Sequence, residues 1–170
     1  AVWEALWARA EPMGACAYGT EAMHVLRAEK GYIIVGQDTD GTVTPYDAGM
    51  GWAVGKKKPD FVGMRGLARP DLTASGRKQL VGLLTKDGSK LEEGAQIVAD
   101  PNQPIPMKML GFVTASYWSA NCGHSIALAL IEDGRAKMGE TLYVPMADST
   151  IAVEVTGTVF YDPKGERIDG

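Results

Sequence analysis

The sequence predicts an α+β fold, in which a partly helical segment is followed by a small antiparallel β-structure. Three observations support this prediction. Up to about Pro70 the chain has helical spacings that glycine and proline interrupt. From Arg77 onward it has short runs rich in Val, Ile and Leu. The pattern changes within 70–76, a stretch that contains Pro, Ser and Gly, so we predict two domains over residues 1–72 and 73–170.

Two helices are predicted in the first domain. Apolar residues near helical spacing indicate a helix over residues 1–10, which Pro and Gly within 11–14 interrupt. A second helix is predicted to begin at Thr20, whose hydroxyl can cap free N–H groups, and to stop at Gly31. After it we expect only short helical turns, one at 44–47 and one that starts near residue 59 and stops before Pro70.

Six strands are predicted in the second domain. The runs rich in Val, Ile and Leu cover 78–85, 95–98, 109–117, 125–131, 141–145 and 151–155. Turn signals such as Asp87-Gly88 and Asn121-Cys122-Gly123 separate them. Short strands that alternate with turns at this spacing are typical of a small antiparallel barrel or sandwich.

Composition and charge exclude several classes of function. Of the 170 residues 45% are hydrophobic and 22% charged, as in ordinary soluble globular proteins. The net charge of −4 does not favour a nucleic-acid partner. No apolar run approaches the roughly 18 residues of a membrane span. Glu4 and Arg9 interrupt the first ten residues, which is wrong for a signal-peptide core, so we expect no membrane partner and a cytoplasmic location.

Glu29 is the strongest candidate for a binding residue. It shares a helix face with Ala22 and Leu26, which we predict to be buried. It also lies near the helix C-terminus, where the dipole disfavours negative charge, so its carboxylate needs a hydrogen-bond donor. One hypothesis is a ligand that donates two parallel hydrogen bonds. The alternative is a helix-end side chain that reaches solvent or pairs with Arg27 or Lys30.

The remaining chemistry-bearing residues give weaker signals. The basic run Lys56-Lys57-Lys58 is either a solvated turn or a cluster that receives a ligand carboxylate. His24 and His124 have no partner pattern for metal or triad chemistry, so we predict both to be non-catalytic. Cys16 and Cys122 lack zinc-site spacing and are predicted to be reduced, packed thiols, although a disulfide between them stays open. We predict no metal site.

Two longer parts of the chain resemble the aminomethyltransferase family, which includes the T-protein of the glycine cleavage system. The family pattern is a helix that ends in Leu-Arg-x-Glu, a Gly-x-Asp turn, Thr-Pro, Gly-x-x-Trp and Asp-Phe-Ile-Gly. The matching segments are 19–32, Gly36-Gln37-Asp38, 44–52 and Asp60-Phe61-Val62-Gly63, with 109–118 and 125–129 resembling the family's C-terminal barrel. Within the family, Leu-Arg-Ala-Glu-Lys-Gly-Tyr and Tyr-Val-Pro-Met resemble the alpha subunits of heterotetrameric sarcosine oxidase.

The resemblance implies a fold and a ligand. Residues 1–72 would be the later part of a folate-binding domain, and 73–170 a six-stranded antiparallel β-barrel. Glu29 would bind the pterin of tetrahydrofolate. Lys58 would meet the folate tail, at a position where the family often has Arg, whose bidentate geometry a Lys lacks.

The resemblance also implies a parent enzyme. That enzyme would demethylate sarcosine at a flavin in another subunit, and tetrahydrofolate would accept the one-carbon unit to give methylenetetrahydrofolate. Flavin and NAD are expected in other parts of the parent, and its other subunits are the expected partners.

The family's catalytic Asp lies upstream of the segments matched here, so the resemblance implies a fragment with no catalytic residue and no activity alone. Two alternatives stay open. The first is a folate-binding relative without catalysis, and the second is a structural module that docks against a flavin subunit.

Overall fold

Two helices of the computed structural model, which describes residues 1–167, lie where the sequence predicts them. They are α1 (Val2–Ala10) and α2 (Thr20–Glu29). Gly31 ends α2 in the left-handed conformation, with φ of 70°, which favours glycine. The predicted cap is wrong, because Thr20 is the first helical residue and Gly19 occupies the cap position without a side-chain hydrogen bond.

Short helical turns connect α2 to the sheet. Two of them are α3 (Met64–Leu67) and α4 (Pro70–Thr73). The helical stretch predicted to stop before Pro70 does so, since α3 ends at Leu67. A separate helix, α4, then begins at Pro70, because proline is well suited to the first turn of a helix, where its missing N–H needs no partner. The predicted turn at 44–47 is present, with the Ala48 N–H donating to the Thr44 carbonyl at 3.0 Å.

Six antiparallel strands follow, as predicted. They are β1 (Lys78–Thr85), β2 (Gln96–Ile97), β3 (Gly111–Ser119), β4 (His124–Glu132), β5 (Thr141–Pro145) and β6 (Thr150–Thr156). They form one sheet in the order β2-β3-β4-β1-β6-β5. No continuous ladder joins the two edge strands among the described residues, but Val98 and Tyr143 exchange two hydrogen bonds of 2.9 and 3.0 Å. The sheet is therefore curled but not closed, and it is a barrel only in a loose sense.

The curled sheet buries side chains on both faces. The inner face encloses the main core, which includes Val81, Ile97, Val113 and Val153. On the outer face, Leu128 and its neighbours pack against Ala28 of α2. Because both faces are covered, seven consecutive residues at the centre of β4 are buried, and after Ser125 the other six are all apolar rather than alternating with polar residues.

A segment after β6, which we call the C-terminal strap (residues 157–162), crosses back to the end of α2. The backbone N–H groups of Phe160 and Tyr161 donate to the Glu29 carbonyl at 2.8 and 3.0 Å. Lys30 donates to the Asp162 carbonyl at 2.6 Å and lies 3.2 Å from its carboxylate. The strap therefore fixes the C-terminus of α2 against the sheet. The last three residues of the predicted second domain, 168–170, lie outside the described residues.

Candidate functional site

Glu29 is buried, with only 2% of its surface exposed. Its Oε1 accepts a hydrogen bond of 2.5 Å from the Ser119 hydroxyl, and its Oε2 accepts one of 2.8 Å from the Asn121 side-chain amide. Both donors come from the end of β3 and the turn that follows it. The prediction that this carboxylate needs a hydrogen-bond donor is confirmed, and in the structure the donors are protein side chains.

The buried face of α2 differs from the predicted one. Leu26 is 47% exposed and Ala22 is half-buried, whereas Arg27, Ala28 and Glu29 are all buried. The prediction assumed that one stripe along the whole helix is covered. Instead, α2 buries its C-terminal turn, where β3, β4 and the C-terminal strap meet it.

Arg27 and Lys30, the alternative partners of Glu29, bind other acids. Arg27 donates to Asp38, which is fully buried and also accepts hydrogen bonds from the Thr114 hydroxyl at 2.5 Å and the Ile34 backbone at 2.9 Å. The Arg27 guanidinium carbon also lies 5.9 Å from the centre of the Tyr117 ring. Asp38 therefore links the loop after α2 to β3.

Asp47 forms a third buried acidic contact. It lies in a reciprocal cap, in which the Thr44 N–H donates to the Asp47 carboxylate at 2.9 Å and the Asp47 N–H donates to the Thr44 hydroxyl at 3.2 Å. Arg77 donates from Nε to both carboxylate oxygens at 3.1 Å. Burial raises the pKa of Asp47, but the hydrogen bonds from Arg77 and Thr44 outweigh it and lower the pKa below its ordinary value.

Glu29, Asp38 and Asp47 together form what we call the carboxylate seam. Each lies in a motif of the first 72 residues, and each contacts a side chain of 73–167. The sequence did not identify the four partners, which are Arg77, Thr114, Ser119 and Asn121. The sequence of β3 did contain a signal that could have identified two of these partners. Thr and Ser side chains within a buried strand need hydrogen-bond partners of their own.

Lys58 lies apart from Glu29. It is exposed and lines a surface cavity of about 340 Å³ together with Lys56 and Phe61. Of five cavities within residues 1–167, Lys58 lines one and Glu29 lines none. The structure therefore does not bring the two predicted binding residues into one pocket.

The largest of these cavities has a volume of about 560 Å³. The residue that follows Glu29 in the chain lines it. Its wall includes Lys30 and Trp52, together with the first part of the C-terminal strap. Arg135 lies at its wall and donates from Nη2 to the Asp47 carbonyl at 2.9 Å. The cavity thus lies between the segment that follows α2, the loop at 48–52 and the start of the C-terminal strap.

His24 is half-buried near the Tyr117 ring, and Nδ1 of His124 lies 3.1 Å from the Ser125 carbonyl. Both thiols are free, but Cys16 is exposed, so the prediction that it is packed is wrong. Among residues 1–167, no three His, Cys, Asp or Glu side chains are placed to hold a metal ion. The helices of the same range are all too short or too polar to cross a bilayer.

Comparison with known proteins gives consistent matches along the chain. The model of the glycine cleavage T-protein C-terminal barrel domain matches residues 78–162, and that of the GCVT N-terminal domain matches residues 1–58. Sarcosine oxidase subunit alpha from Corynebacterium sp. (strain P-1) is 49% identical over 99% of this chain and 18% of that protein. Aminomethyltransferase from Nostoc sp. is 32% identical over 92% of this chain and 40% of that protein.

The fold also matches a solved structure. The glycine cleavage system aminomethyltransferase T from Bartonella henselae superposes with a TM-score of 0.72 over 85% of this chain and 39% of that one, at 22% identity. The chain therefore spans well under half the length of the proteins that it matches.

Proposed function

Because the chain belongs to the glycine cleavage T-protein family, we propose that it is the tetrahydrofolate-binding C-terminal part of a sarcosine oxidase alpha subunit. The Corynebacterium alpha subunit is 49% identical to this chain and the Nostoc aminomethyltransferase 32%, which supports this parent over an aminomethyltransferase. In the parent, tetrahydrofolate would accept the one-carbon unit released from sarcosine, giving methylenetetrahydrofolate. Flavin and NAD would bind elsewhere in the parent, whose other subunits would be the partners, in the cytoplasm.

The chemistry of Glu29 supports a pterin ligand. A pterin edge presents adjacent N–H donors, and a carboxylate is the complementary acceptor. A carboxylate has about four lone-pair positions, and Ser119 and Asn121 use two of those of Glu29. Burial also strengthens any hydrogen bond that the ligand adds, because the local dielectric is low. The Glu29 carboxylate therefore fits this group, and we propose it as the pterin anchor.

Lys58 is proposed to meet the carboxylates of the folate tail. It is exposed, and Lys56 lines the same cavity, so the positive charge there is concentrated. A Lys ammonium binds a carboxylate as a point charge, without the bidentate geometry of Arg. Lys58 would therefore add less to affinity than Glu29. We assign no catalytic residue to this chain and propose that it does not act on sarcosine alone.

One observation favours a second candidate, a structural module without a ligand. Both oxygens of Glu29 already accept protein hydrogen bonds, and the whole carboxylate seam contacts residues of 73–167. Under this alternative, Glu29 only fastens α2 to the sheet. Ligand binding separates the two functions.

The test is a calorimetric titration with 5-formyltetrahydrofolate, a stable reduced folate. We expect the wild-type chain to bind and Glu29→Gln to lose binding, because the amide places an N–H₂ donor against the donors of the ligand. Glu21→Gln is the matched control, since Glu21 is exposed at the start of the same helix. Thermal melts of each variant check that the fold is kept. Undiminished binding by Glu29→Gln would remove Glu29 as the anchor, and no binding by wild type would favour the structural module.

A further inference from the structure

The two donors to the Glu29 carboxylate have different surroundings. Ser119 is fully buried at the end of β3, where it pairs with His124 across the hairpin. Its hydroxyl oxygen also accepts a hydrogen bond of 2.9 Å from the Cys122 backbone. Ser119 therefore cannot leave Glu29 without disrupting the turn between β3 and β4.

Asn121 is the exposed donor of the two. It is exposed in that four-residue turn, and the hydrogen bond of its side chain to Glu29 is a single one of 2.8 Å. The turn itself is held by other groups, through the hydrogen bond from the Gly123 N–H to the Ser119 carbonyl at 2.9 Å. A change in the Asn121 rotamer would leave the hairpin intact and expose one oxygen of Glu29.

The Asn121 amide also has the chemistry of the expected ligand. A carboxamide N–H is a neutral donor to the carboxylate, as are the N–H groups along a pterin edge. Ser119 and Asn121 are the side chains of residues 1–167 that donate to Glu29, and only Asn121 is exposed. A ligand that approaches the carboxylate from solvent would therefore meet Asn121 first.

We propose that Asn121 closes the Glu29 site in the absence of ligand and is displaced when a pterin N–H takes its place. This inference rests on the proposed function, in which Glu29 anchors the pterin. Ser119 acts differently, as a positioning residue that stays bound to the carboxylate and holds its orientation. Asn121 thus competes with the ligand, whereas Ser119 supports its binding.

The two roles predict opposite effects on affinity. Asn121→Ala removes a competing hydrogen bond, so we expect it to bind 5-formyltetrahydrofolate about threefold to tenfold more tightly than wild type. Ser119→Ala frees the carboxylate to adopt other orientations, so we expect weaker binding. Asn102→Ala, which alters another exposed turn asparagine, is the matched control and should bind as wild type does.

Thermal melts give a second measure that does not depend on calorimetry. Without ligand, Asn121→Ala should melt below Asn102→Ala, because Glu29 then lacks one donor. With ligand, Asn121→Ala should gain more in melting temperature than wild type. If wild type binds, Glu29→Gln does not, and Asn121→Ala binds no more tightly than wild type, the inference fails while the proposed function stands. If neither wild type nor Asn121→Ala binds, the proposed function fails and the inference fails with it.

Discussion

Ser119 is a hydrogen-bond partner of two groups, the Glu29 carboxylate and the Cys122 backbone N–H. Its hydroxyl donates to Glu29 and accepts from the Cys122 backbone, and the residue itself has no exposed surface. Replacement by alanine would leave the Cys122 N–H without this partner and the buried Glu29 carboxylate with Asn121 as its remaining side-chain donor. A buried polar group that loses its partner costs more free energy than a typical hydrogen bond contributes.

We therefore predict that Ser119→Ala lowers the free energy of unfolding by about 1–3 kcal/mol. Urea denaturation monitored by circular dichroism measures this change. Ser75→Ala is the control, since Ser75 is exposed outside the strands and should change stability little. An equal effect of the two substitutions would show that the Ser119 contacts contribute nothing to stability.

At the same scale, the sequence identified Glu29 but not the groups that surround it. The position of Glu29 near the helix C-terminus and its negative charge predicted that its carboxylate needs a hydrogen-bond donor, and this prediction is confirmed. The identity of the donor depends on packing between segments about ninety residues apart, which periodicity does not encode. Whether Glu29 and Lys58 bind a ligand stays a prediction.

At the scale of elements, the turn at 44–47 is joined to the start of the sheet by one ion pair. Asp47 caps its own turn through Thr44 and binds Arg77, which lies just before β1. The net effect of burial, which raises the pKa, and of the Arg77 and Thr44 hydrogen bonds, which lower it, is a depressed Asp47 pKa in the folded protein. The charged form is therefore favoured more in the folded state than in the unfolded state.

This shift predicts how stability depends on pH. The contribution of Asp47 is fully present above its ordinary pKa of 3.8 and is lost as the pH falls through the lower folded-state pKa. We expect wild type to lose more free energy of unfolding than Asp47→Asn between pH 5 and pH 2, measured by urea denaturation at each pH. Asp148→Asn, at an exposed turn, should follow wild type. Parallel pH profiles for wild type and Asp47→Asn would contradict the prediction.

The elements themselves were largely predictable, and the exceptions have physical causes. All six strands were found because the runs of Val, Ile and Leu are interrupted by strong turn signals. β2 is only two residues long, since Val98 leaves the ladder with β3 and instead bridges Tyr143 on the opposite edge. The exposure of Leu26 was missed because the helical pattern does not tell which turns of α2 are covered.

At the scale of the whole molecule, the family resemblance taken from the sequence is confirmed by matches along both parts of the chain. The signature of the first part also has a structural role, since three of its acids form the carboxylate seam. Ordered motifs can identify a family before the roles of their residues are known. The boundary near residue 72 stays a prediction.

Apolar side chains of α1 are left uncovered by the described residues. None of its residues is buried, and Val2, Trp3 and Leu6 are 75%, 65% and 62% exposed. The rings of Trp3 and Trp7 stack with their centres 6.0 Å apart, which widens the apolar face. Exposed apolar patches of this kind promote association, because burying them removes apolar area from water.

We therefore predict that the 170-residue chain self-associates through α1. Light scattering coupled to size exclusion should give a mass that rises with concentration. The double substitution Trp3→Glu with Leu6→Glu should return the chain to a monomer, because the charges make burial of this face costly. Trp118→Glu is the control, since Trp118 is 58% exposed but lies on β3, and it should not change the mass. A wild-type mass that stays monomeric at every concentration would show that α1 does not drive association.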